Sequence, residues 1–532
     1  MFKNVRASLR LAPTVCIATC AVVGTKLQAA PATASAPAVT TVMCASKPGE
    51  RIHCAADVSQ GITLLKSSGS SACLLGKTWG YDDGIWVADG CTGEFVVAGK
   101  ATAAAATTTA APTTTAAPTA TATTATASAA TPQEAPDYVP NAGFLLYNGD
   151  KGQVYMRLFA YARYLDQMGL DPTYTDYFGN EHDVQQRQDI QLNKFFLPFS
   201  GWFMTPQFRY YLYVWSSNPS QGDPAQVVGA GNLSYSFNRH VTFGAGITSL
   251  PSVRSTEGQF PYWLTVDNRL IADEFFRGSY TSGVWFKGEL STKVKYMAML
   301  GNNLSTLGVN AKQLDNKLDT TSLMLQWLPT TGEFGLYGTF GDYDWHDKLA
   351  TRLGLHFTDS TEDKQSQPGA NDIENSQIRL TDGSIIFTPN LFGEGISVTD
   401  VHYQMISLDG GLKYKGMSFE PEFYWRKLDD FNGPGVDVLE DSIDDYGFQV
   451  QVSAMFIKDI LQGYAGISEV RGDYGDGSDA RLGVNWYPFS DRGVRVNAEW
   501  IRLDNSPVGY TAVPYSVGGN GDVFNINLEM NW

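Results

Sequence analysis

The sequence predicts an all-β protein, in which a transmembrane antiparallel β-barrel of about 16 strands follows a small disulfide-stapled β domain at the N-terminus. Three observations support this prediction. From Tyr138 onward, apolar and polar residues alternate with a period of two, which is typical of strands with one apolar and one wet face. The 532 residues include 53 Gly, 26 Tyr, 28 Phe and 12 Trp. No apolar run after residue 30 approaches the roughly 20 residues that a membrane-spanning helix needs.

The C-terminal strand shows this alternation most clearly. Its polar positions are Asn or Glu, and its apolar positions are Phe524, Ile526, Leu528, Met530 and Trp532. A terminal aromatic residue on such a strand resembles the signal by which outer-membrane barrel proteins are recognised for insertion. The resemblance implies the barrel assembly machinery as a partner and the outer membrane of a Gram-negative bacterium as the location. Outer-membrane lipid and lipopolysaccharide would then surround the barrel.

Short turns and long polar segments alternate along the predicted barrel, residues 137–532. Short turns are expected at Asn238-Arg239, Ser291-Thr292, Gly416 and Lys458-Asp459, and long segments at about 171–187, 359–383 and 429–445. In such barrels the short turns face the periplasm. Spread over roughly 395 residues, this spacing predicts an even number of strands near 16, which leaves a water-filled lumen. Pro421 removes a ladder donor, so we expect a bulge there.

The region before the barrel has the features of an exported protein. Residues 1–29 resemble a secretory signal peptide, with Lys3, Arg6 and Arg10 before an apolar run and small residues at the expected cleavage site. Residues 98–136 are almost wholly Ala, Thr, Ser and Pro, which predicts a linker. Because both ends of an even-stranded barrel lie on one side, we expect the domain before the linker, residues 43–97, to lie in the periplasm.

This N-terminal domain contains the four cysteines that remain after the signal peptide. They are Cys44, Cys54, Cys73 and Cys91. In an exported domain such a group predicts two disulfides, for which three pairings can form. We favour Cys44 with Cys54 and Cys73 with Cys91. A zinc site is the alternative, but the spacing contains no C-x-x-C pair.

The segment that contains Trp79, Tyr81 and Trp86 resembles a cysteine-rich domain of unknown function in exported proteobacterial proteins. The resemblance implies no chemistry. Exposed rings could stack on a sugar, although in so small a domain they more often form the core. A barrel that anchors a periplasmic cell-wall-binding or glycan-binding module is therefore the alternative to a channel.

A second resemblance concerns residues 247–286. Four segments carry it, namely Ile247 to Thr256, Asp267-Asn268-Arg269, Phe275-Phe276-Arg277-Gly278 and Gly283-Val284-Trp285-Phe286. They look like the phosphate-selective porin family at its inward-folding loop. The resemblance implies a 16-stranded, homotrimeric, anion-leaning channel for small hydrophilic solutes, and it places Arg254 and Arg269 in the lumen.

The phase of each strand predicts which charged side chains enter the lumen. The expected basic residues are Arg157, Arg163, Arg209, Lys287, Lys293, Lys295, Arg352, Lys413, Lys415, Arg481 and Arg495. The expected acidic residues are Glu289, Glu420, Glu422, Glu499 and Glu529. The predicted lumen is therefore basic, although the whole chain has a formal net charge of −17. Alternatively, these charges only cross-brace the wall, and a register slip of one residue would reverse the phase.

The remaining function classes are excluded or disfavoured by the sequence. An acidic chain argues against a nucleic-acid partner. The six His residues do not assemble into a catalytic set, and we expect no catalytic residue, cofactor or metal. We interpret the acidic segment Asp342 to Asp347 as a solvated external loop. The predicted function is a non-enzymatic, water-filled channel for passive diffusion, with a preference for phosphate-like anions.

Overall fold

The chain divides into two compact units, Met1–Ser128 and Ala129–Trp532. The computed structural model describes residues 39–56, 62–71, 73, 77–81, 84–98, 138–139, 142–217, 226–257, 260–306, 309, 313, 317–367, 376–510 and 512–532. The predicted signal peptide, residues 1–29, and the predicted linker beyond Ala98 lie outside these described residues.

The N-terminal unit consists of two three-stranded antiparallel sheets. Its strands are β1 (Val39–Ala45), β2 (Arg51–Cys54), β3 (Ile62–Gly69), β4 (Trp79–Tyr81), β5 (Ile85–Ala88) and β6 (Cys91–Ala98). One sheet has the order β1-β6-β3 and the other β2-β5-β4. Disulfides join Cys44 to Cys54 and Cys73 to Cys91, the pairing favoured from the sequence. Together with buried apolar side chains, the disulfide sulfurs form the core of this small unit, which has few residues with which to build a larger one.

The second unit is a β-barrel preceded by short strands. These are β7 (Tyr138–Val139), β8 (Gly143–Gly149) and β9 (Gly152–Met156). The barrel strands are β10 (Phe159–Leu170), β13 (Gln188–Phe203), β14 (Thr205–Ser217), β15 (Gln226–Asn238), β16 (Val241–Ser249), β17 (Tyr280–Ser291), β18 (Val294–Gly301), β19 (Thr320–Trp327), β20 (Ala350–Asp363), β21 (Asp400–Tyr414), β22 (Met417–Asn432), β23 (Ser442–Ile457), β24 (Leu461–Gly472), β25 (Gly475–Trp486), β26 (Val494–Asp504) and β27 (Gly521–Asn531). A small hairpin, β11 (Thr173–Thr175) and β12 (Glu181–Asp183), lies between β10 and β13, and α1 (Ile271–Phe276) lies between β16 and β17.

The barrel is closed because its first and last strands pair. Each of the 16 barrel strands pairs antiparallel with the next one along the chain, and the first, β10, also pairs with the last, β27. At the junction, the backbone groups of Leu158 and Trp532 exchange hydrogen bonds of 2.6 and 2.8 Å. The predicted 16-stranded antiparallel barrel is thus confirmed. Closure satisfies the backbone groups of every strand, which is the condition for crossing a membrane as a sheet.

The two faces of the wall differ as the period-two alternation predicts. In β25, Leu482, Val484 and Trp486 are exposed on the outside, whereas Arg481 and Asn485 are buried on the inside. The C-terminal strand behaves in the same way, with Phe524, Ile526, Leu528 and Trp532 exposed outward. Large apolar side chains on the outside of a closed barrel form the lipid-facing belt of an outer-membrane protein. None of the helices in the described part of the chain is long and apolar enough to cross a membrane.

Connections of different length occupy the two ends of the barrel. One end, called here the short-turn end, has tight turns at residues 204, 239–240, 292–293, 415–416 and 458–460. The opposite, long-loop end has the connections 171–187, 250–279, 364–399, 433–441 and 505–520. The predicted bulge at Pro421 is wrong. The register between β21 and β22 is the same on both sides of Pro421, which lies opposite Gly410, where no side chain competes for space.

Candidate functional site

A loop from the long-loop end folds into the lumen. The inward loop, residues 250–279, connects β16 to β17, and most of its described side chains are buried. Its helix α1 packs against β22, β23, β24 and β25. Gly447 of β23 permits this approach, because a Cβ atom there would lie 2.3 Å from the ring of Phe276. The inward position of the loop therefore depends on a small residue in the facing wall.

Arginines of the barrel wall hold the inward loop in place. Arg163 donates a hydrogen bond of 2.6 Å to the carbonyl oxygen of Val266, and Arg495 donates one of 2.7 Å to that of Trp263. Within the loop, Arg254 forms a buried ion pair with Glu420 of β22. Guanidinium groups present five donors in a fixed geometry, so they can satisfy buried carbonyl oxygens and a carboxylate together.

The same side of the lumen contains further arginines whose charges are neutralised. Arg352 donates to Asp409 at 3.0 Å and to Glu257 at 2.9 Å. Arg426 pairs with Asp445 at 2.6 Å and Arg481 with Asp479 at 2.6 Å. Buried charges persist in proteins when they are paired and hydrogen-bonded, as these are. This side of the barrel, lined by β20 to β27, is therefore filled.

A second segment enters this filled side from the short-turn end. Residues 328–349 connect β19 to β20, and Lys413 donates a hydrogen bond of 2.9 Å to the carbonyl oxygen of Phe334. Asp342 is fully buried and accepts a hydrogen bond of 2.7 Å from the backbone N–H of Gly416. The interpretation of residues 342–347 as a solvated external loop is therefore wrong for Asp342, whereas Asp344 and Asp347 are exposed. The acidic composition suggested solvent, but Asp342 has buried donors within reach.

His346 in this segment lies between two carboxylates. It hydrogen-bonds Asp342 through Nδ1 and Glu333 at 3.0 Å through Nε2. Burial opposes the charged imidazolium, but the two carboxylates outweigh burial and raise the pKa of His346 to about 9. Burial also opposes the Glu333 carboxylate, yet hydrogen bonds from His346 and the backbone of Gly335 lower the pKa of Glu333 to about 2. This arrangement fixes the segment at the short-turn end.

The other side of the lumen contains an open cavity of about 570 Å³. Strands β13 to β17 form its wall, and the inward loop faces them. On β14 the inward residues Arg209, Tyr211, Tyr213 and Trp215 all line it. At a rise of about 3.3 Å per residue these four positions extend roughly 20 Å along the strand. The cavity thus covers much of the thickness of a hydrocarbon core, which is about 30 Å.

The charges that line this cavity are predominantly positive. Its basic residues are Arg157, Lys194, Arg209, Arg269 and Lys287, and its acidic residues are Glu257 and Asp267. Both acids are engaged, Glu257 with Arg352 and Asp267 with Lys194 at 2.7 Å. In the described residues, the other ion pairs at the cavity are those of Arg269 and that of Glu257 with His356, so Arg157, Arg209 and Lys287 remain as positive charges facing it.

The three residues with free charge have different surroundings. Arg157 donates hydrogen bonds to neutral oxygens, at 2.7 Å to the Tyr262 hydroxyl and at 2.6 Å to the Asn531 amide oxygen. Arg209 and Lys287 are exposed to the lumen and lie near enough for their charges to repel each other. An anion that enters the cavity would relieve this repulsion.

The basic residues expected in the lumen fall into three groups. Those that line the cavity are Arg157, Arg209, Arg269 and Lys287. Those that are buried in the filled side or against the inward loop are Arg163, Arg254, Arg352, Lys413, Arg481 and Arg495. Those in or next to turns of the short-turn end are Lys293, Lys295 and Lys415. The structure therefore gathers four of them at one open site and uses six as internal braces.

The aromatic residues of the cavity are not among the side chains that the strand phase predicted to enter the lumen. Tyr211, Tyr213 and Trp215 have the same phase as Arg209, so the alternation of β14 contained the necessary signal. Lys194 was missed for another reason. A register shift between Tyr161 and Ala162 in the β10–β13 pairing breaks the simple alternation next to it.

One group of side chains has the composition of a metal site. Glu257, His356 and Asp409 have ligand atoms within 4.8 Å of one another. Arg352 already donates to both carboxylates, and His356 hydrogen-bonds Asp409 at 3.1 Å. A guanidinium in this position supplies the positive charge that a metal ion would bring, so the group is an ion-pair network.

The aromatic residues of the N-terminal unit are mostly occupied within that unit. Trp79 is buried and its ring centroid lies 4.8 Å from that of Phe95. The guanidinium of Arg51 lies 3.8 Å above the ring of Trp86. Tyr81 is half exposed. Trp79 therefore belongs to the core rather than to a sugar-stacking surface.

Comparisons with known proteins give one family match and several similar solved structures. Residues 25–121 match the family described as "Protein of unknown function (DUF3011)". No curated protein matches the chain. Among solved structures, OmpT of Vibrio cholerae is similar with a TM-score of 0.46 and 13% identity, over 73% of this chain and 99% of that one.

Two further solved structures show a similar degree of likeness. The outer membrane channel DcaP of Acinetobacter baumannii has a TM-score of 0.44 and 9% identity, over 72% of this chain and 99% of that one. The anion-selective porin from Comamonas acidovorans has a TM-score of 0.44 and 8% identity, with the same coverage of 72% and 99%.

Proposed function

We propose that the protein is an outer-membrane porin, a passive channel for small hydrophilic solutes that prefers anions. The observation that carries the proposal is the cavity between the inward loop and β13 to β17, in which Arg157, Arg209 and Lys287 have no acidic partner among the described residues. Charges of one sign inside low-dielectric walls concentrate the opposite ion and set the selectivity of a pore.

The identity of the basic residues supports a further preference for oxyanions. Arginine binds phosphate and carboxylate groups through two parallel N–H donors, and two of the three free cations are arginines. Arg157 and Arg209 would therefore interact more strongly with phosphate than with chloride, although both ions carry negative charge. This supports the phosphate-like solute expected from the sequence.

Electrical recording of the full mature chain in a planar bilayer tests the proposal. With a KCl gradient across the membrane, the reversal potential should have the sign of anion preference, and phosphate should reduce the chloride current. A cation preference would contradict the basic-lumen channel. Failure of the folded barrel to conduct would favour a barrel that only anchors the N-terminal domain.

We further propose that the N-terminal domain lies in the periplasm. The first barrel strand starts and the last strand ends at the short-turn end, which in such barrels faces the periplasm. A coil of about 38 residues, the length of the predicted linker, would span roughly 35 Å. Protease added to intact cells should leave the domain uncut, whereas protease added after outer-membrane permeabilisation should release it.

A homotrimer remains a prediction, which cross-linking in native membranes would test.

A further inference from the structure

The cavity has an aromatic character that the proposed anion preference does not explain. Of the 27 residues that line it, 11 are aromatic, whereas aromatic residues make up 12% of the whole chain. Apolar surface that faces water is usually kept small unless it binds something. A channel that passes only small hydrated ions would gain nothing from such a lining.

The rings form one continuous cluster along β13 and β14, in which Tyr213 and Trp215 are buried and Tyr211 and Phe196 are half-buried. The ring centroid of Tyr213 lies 5.7 Å from that of Tyr211 and 5.3 Å from that of Phe196. Phe260 of the inward loop continues this surface on the opposite side, with its centroid 5.9 Å from that of Phe196. These separations lie within the range of about 4.5–7 Å at which aromatic rings attract one another. A flat aromatic solute could extend the same packing.

Positive charges border the aromatic surface at both of its ends. Toward the short-turn end, Arg209 is the next inward residue of β14 after Tyr211, and Lys287 of β17, three strands further along the wall, also lines the cavity. Toward the long-loop end, the Lys194 ammonium lies 4.8 Å from the centroid of the Trp215 ring. Lys194 is neutralised by Asp267, so the free positive charge is concentrated at the short-turn side of the rings.

We propose that the cavity binds and passes small aromatic carboxylates, whose ring packs against Tyr211 and Tyr213 while the carboxylate pairs with Arg209 and Lys287. This inference rests on the proposed function, because it assigns a substrate class to the same channel. A carboxylate needs the cations and an aromatic ring needs the ring surface, and this solute class uses both. The volume of about 570 Å³ is within the range of sites that bind small organic molecules.

Block of the chloride current by three monovalent carboxylates tests the inference. The probes are benzoate, cyclohexanecarboxylate and glucuronate, added to the full mature chain in a planar bilayer. Benzoate should reduce the chloride current at a concentration at least about fivefold lower than either of the others, the factor expected from two aromatic contacts. Equal block by cyclohexanecarboxylate would overturn the role of ring stacking. Stronger block by glucuronate would overturn the inference in favour of a sugar acid.

Substitutions locate the effect. Replacing Tyr211 and Tyr213 together by Leu should raise the half-blocking concentration of benzoate by about fivefold to tenfold and leave that of cyclohexanecarboxylate within about twofold. The matched control is Tyr235→Leu, since Tyr235 faces outward on β15. Block of the wild-type chain needs no variant, so the inference stays testable even if the double variant does not fold.

The outcomes separate this inference from the function on which it rests. An anion-preferring current that benzoate does not reduce would overturn the aromatic substrate class and leave the porin proposal intact. A folded barrel that carries no current would overturn the porin proposal and the inference with it.

Discussion

The two sides of the barrel lumen use the same kinds of basic residue in opposite ways. On the side of β20 to β27, Arg352, Arg426 and Arg481 are buried and each is paired with a carboxylate. On the side of β13 to β17, Arg209 and Lys287 face open space. Where an acid lies opposite an arginine, the pair holds neighbouring segments together. Where no acid lies opposite, the arginine contributes positive electrostatic potential to the cavity. The partner, rather than the residue type, decides the role.

The filled side also explains why only a narrow opening is left in the lumen of a 16-stranded barrel. A barrel of this size encloses a lumen wide enough for bulk water. The inward loop and residues 328–349 occupy the β20 to β27 side, and the ion pairs hold them there. The open cavity is the part of the lumen that these segments leave empty. Because it is narrow, the charged side chains of β14 and β17 lie close to any solute that enters it.

Removing a brace should have the largest effect on stability. Arg352→Met removes the guanidinium that pairs with the carboxylates of Glu257 and Asp409 and leaves them only His356, and we expect a loss of about 3–5 kcal/mol in the free energy of unfolding. Urea titration in detergent micelles, followed by tryptophan fluorescence, measures it. Arg209→Met is the matched control and should change the free energy of unfolding by less than about 0.5 kcal/mol. Equal losses in both variants would show that the two sides do not differ.

Reversing the free charges should have the largest effect on selectivity. With Arg209→Glu and Lys287→Glu combined, the cavity loses its unpaired positive charge on β14 and β17, so the channel should prefer cations. The reversal potential under a KCl gradient should change sign. Lys458→Glu serves as the control, since Lys458 lies in a turn of the short-turn end and does not line the cavity. An unchanged sign in the double variant would refute the assignment of these residues.

Asp267 forms an ion pair with Lys194, which lines the cavity, so it decides whether this lysine contributes free positive charge. Asp267→Asn should release the charge of Lys194 and increase the anion preference, with a stability cost of about 1–3 kcal/mol from the weakened buried hydrogen bonds. Reversal potential and urea titration of one preparation measure both effects. Asp166→Asn is a control outside the cavity. A decrease in anion preference would contradict the role given to Lys194.

The smallest effect is expected at the short-turn end, where His346 fixes residues 328–349. Its pKa is raised from 6.5 to about 9, so its stabilising charge is fully present below pH 6.5 and is lost as the pH rises through 9. Between these values the wild-type barrel should lose about 1 kcal/mol or less, because the site is partly exposed. His346→Gln removes this titration and is the comparison. Parallel stability curves for both proteins would contradict the prediction.

Local patterns predicted the wall of the barrel because they depend on backbone geometry alone. Side chains alternate across any strand, so Arg481 was predicted to enter the lumen without knowledge of its neighbours, and Leu482 next to it is exposed on the outside. Composition was a poorer guide at residues 342–347, because acidic residues there suggested a solvated loop for Asp342 as well. Asp342 is buried because the backbone of Gly416, distant in sequence, supplies its donor.

The sequence by itself determined the closed barrel, the inward phase of the basic residues within the strands and the disulfide-bonded N-terminal domain, because period-two alternation and cysteine spacing are properties of nearby residues. Only the tertiary structure decided which of these charges are paired. Arg254 and Glu420 are separated by 166 positions, and Arg352 and Asp409 by 57. Such pairs form only when the sheet closes and the loops fold inward, so no local pattern distinguishes the arginines that brace from those that line the channel.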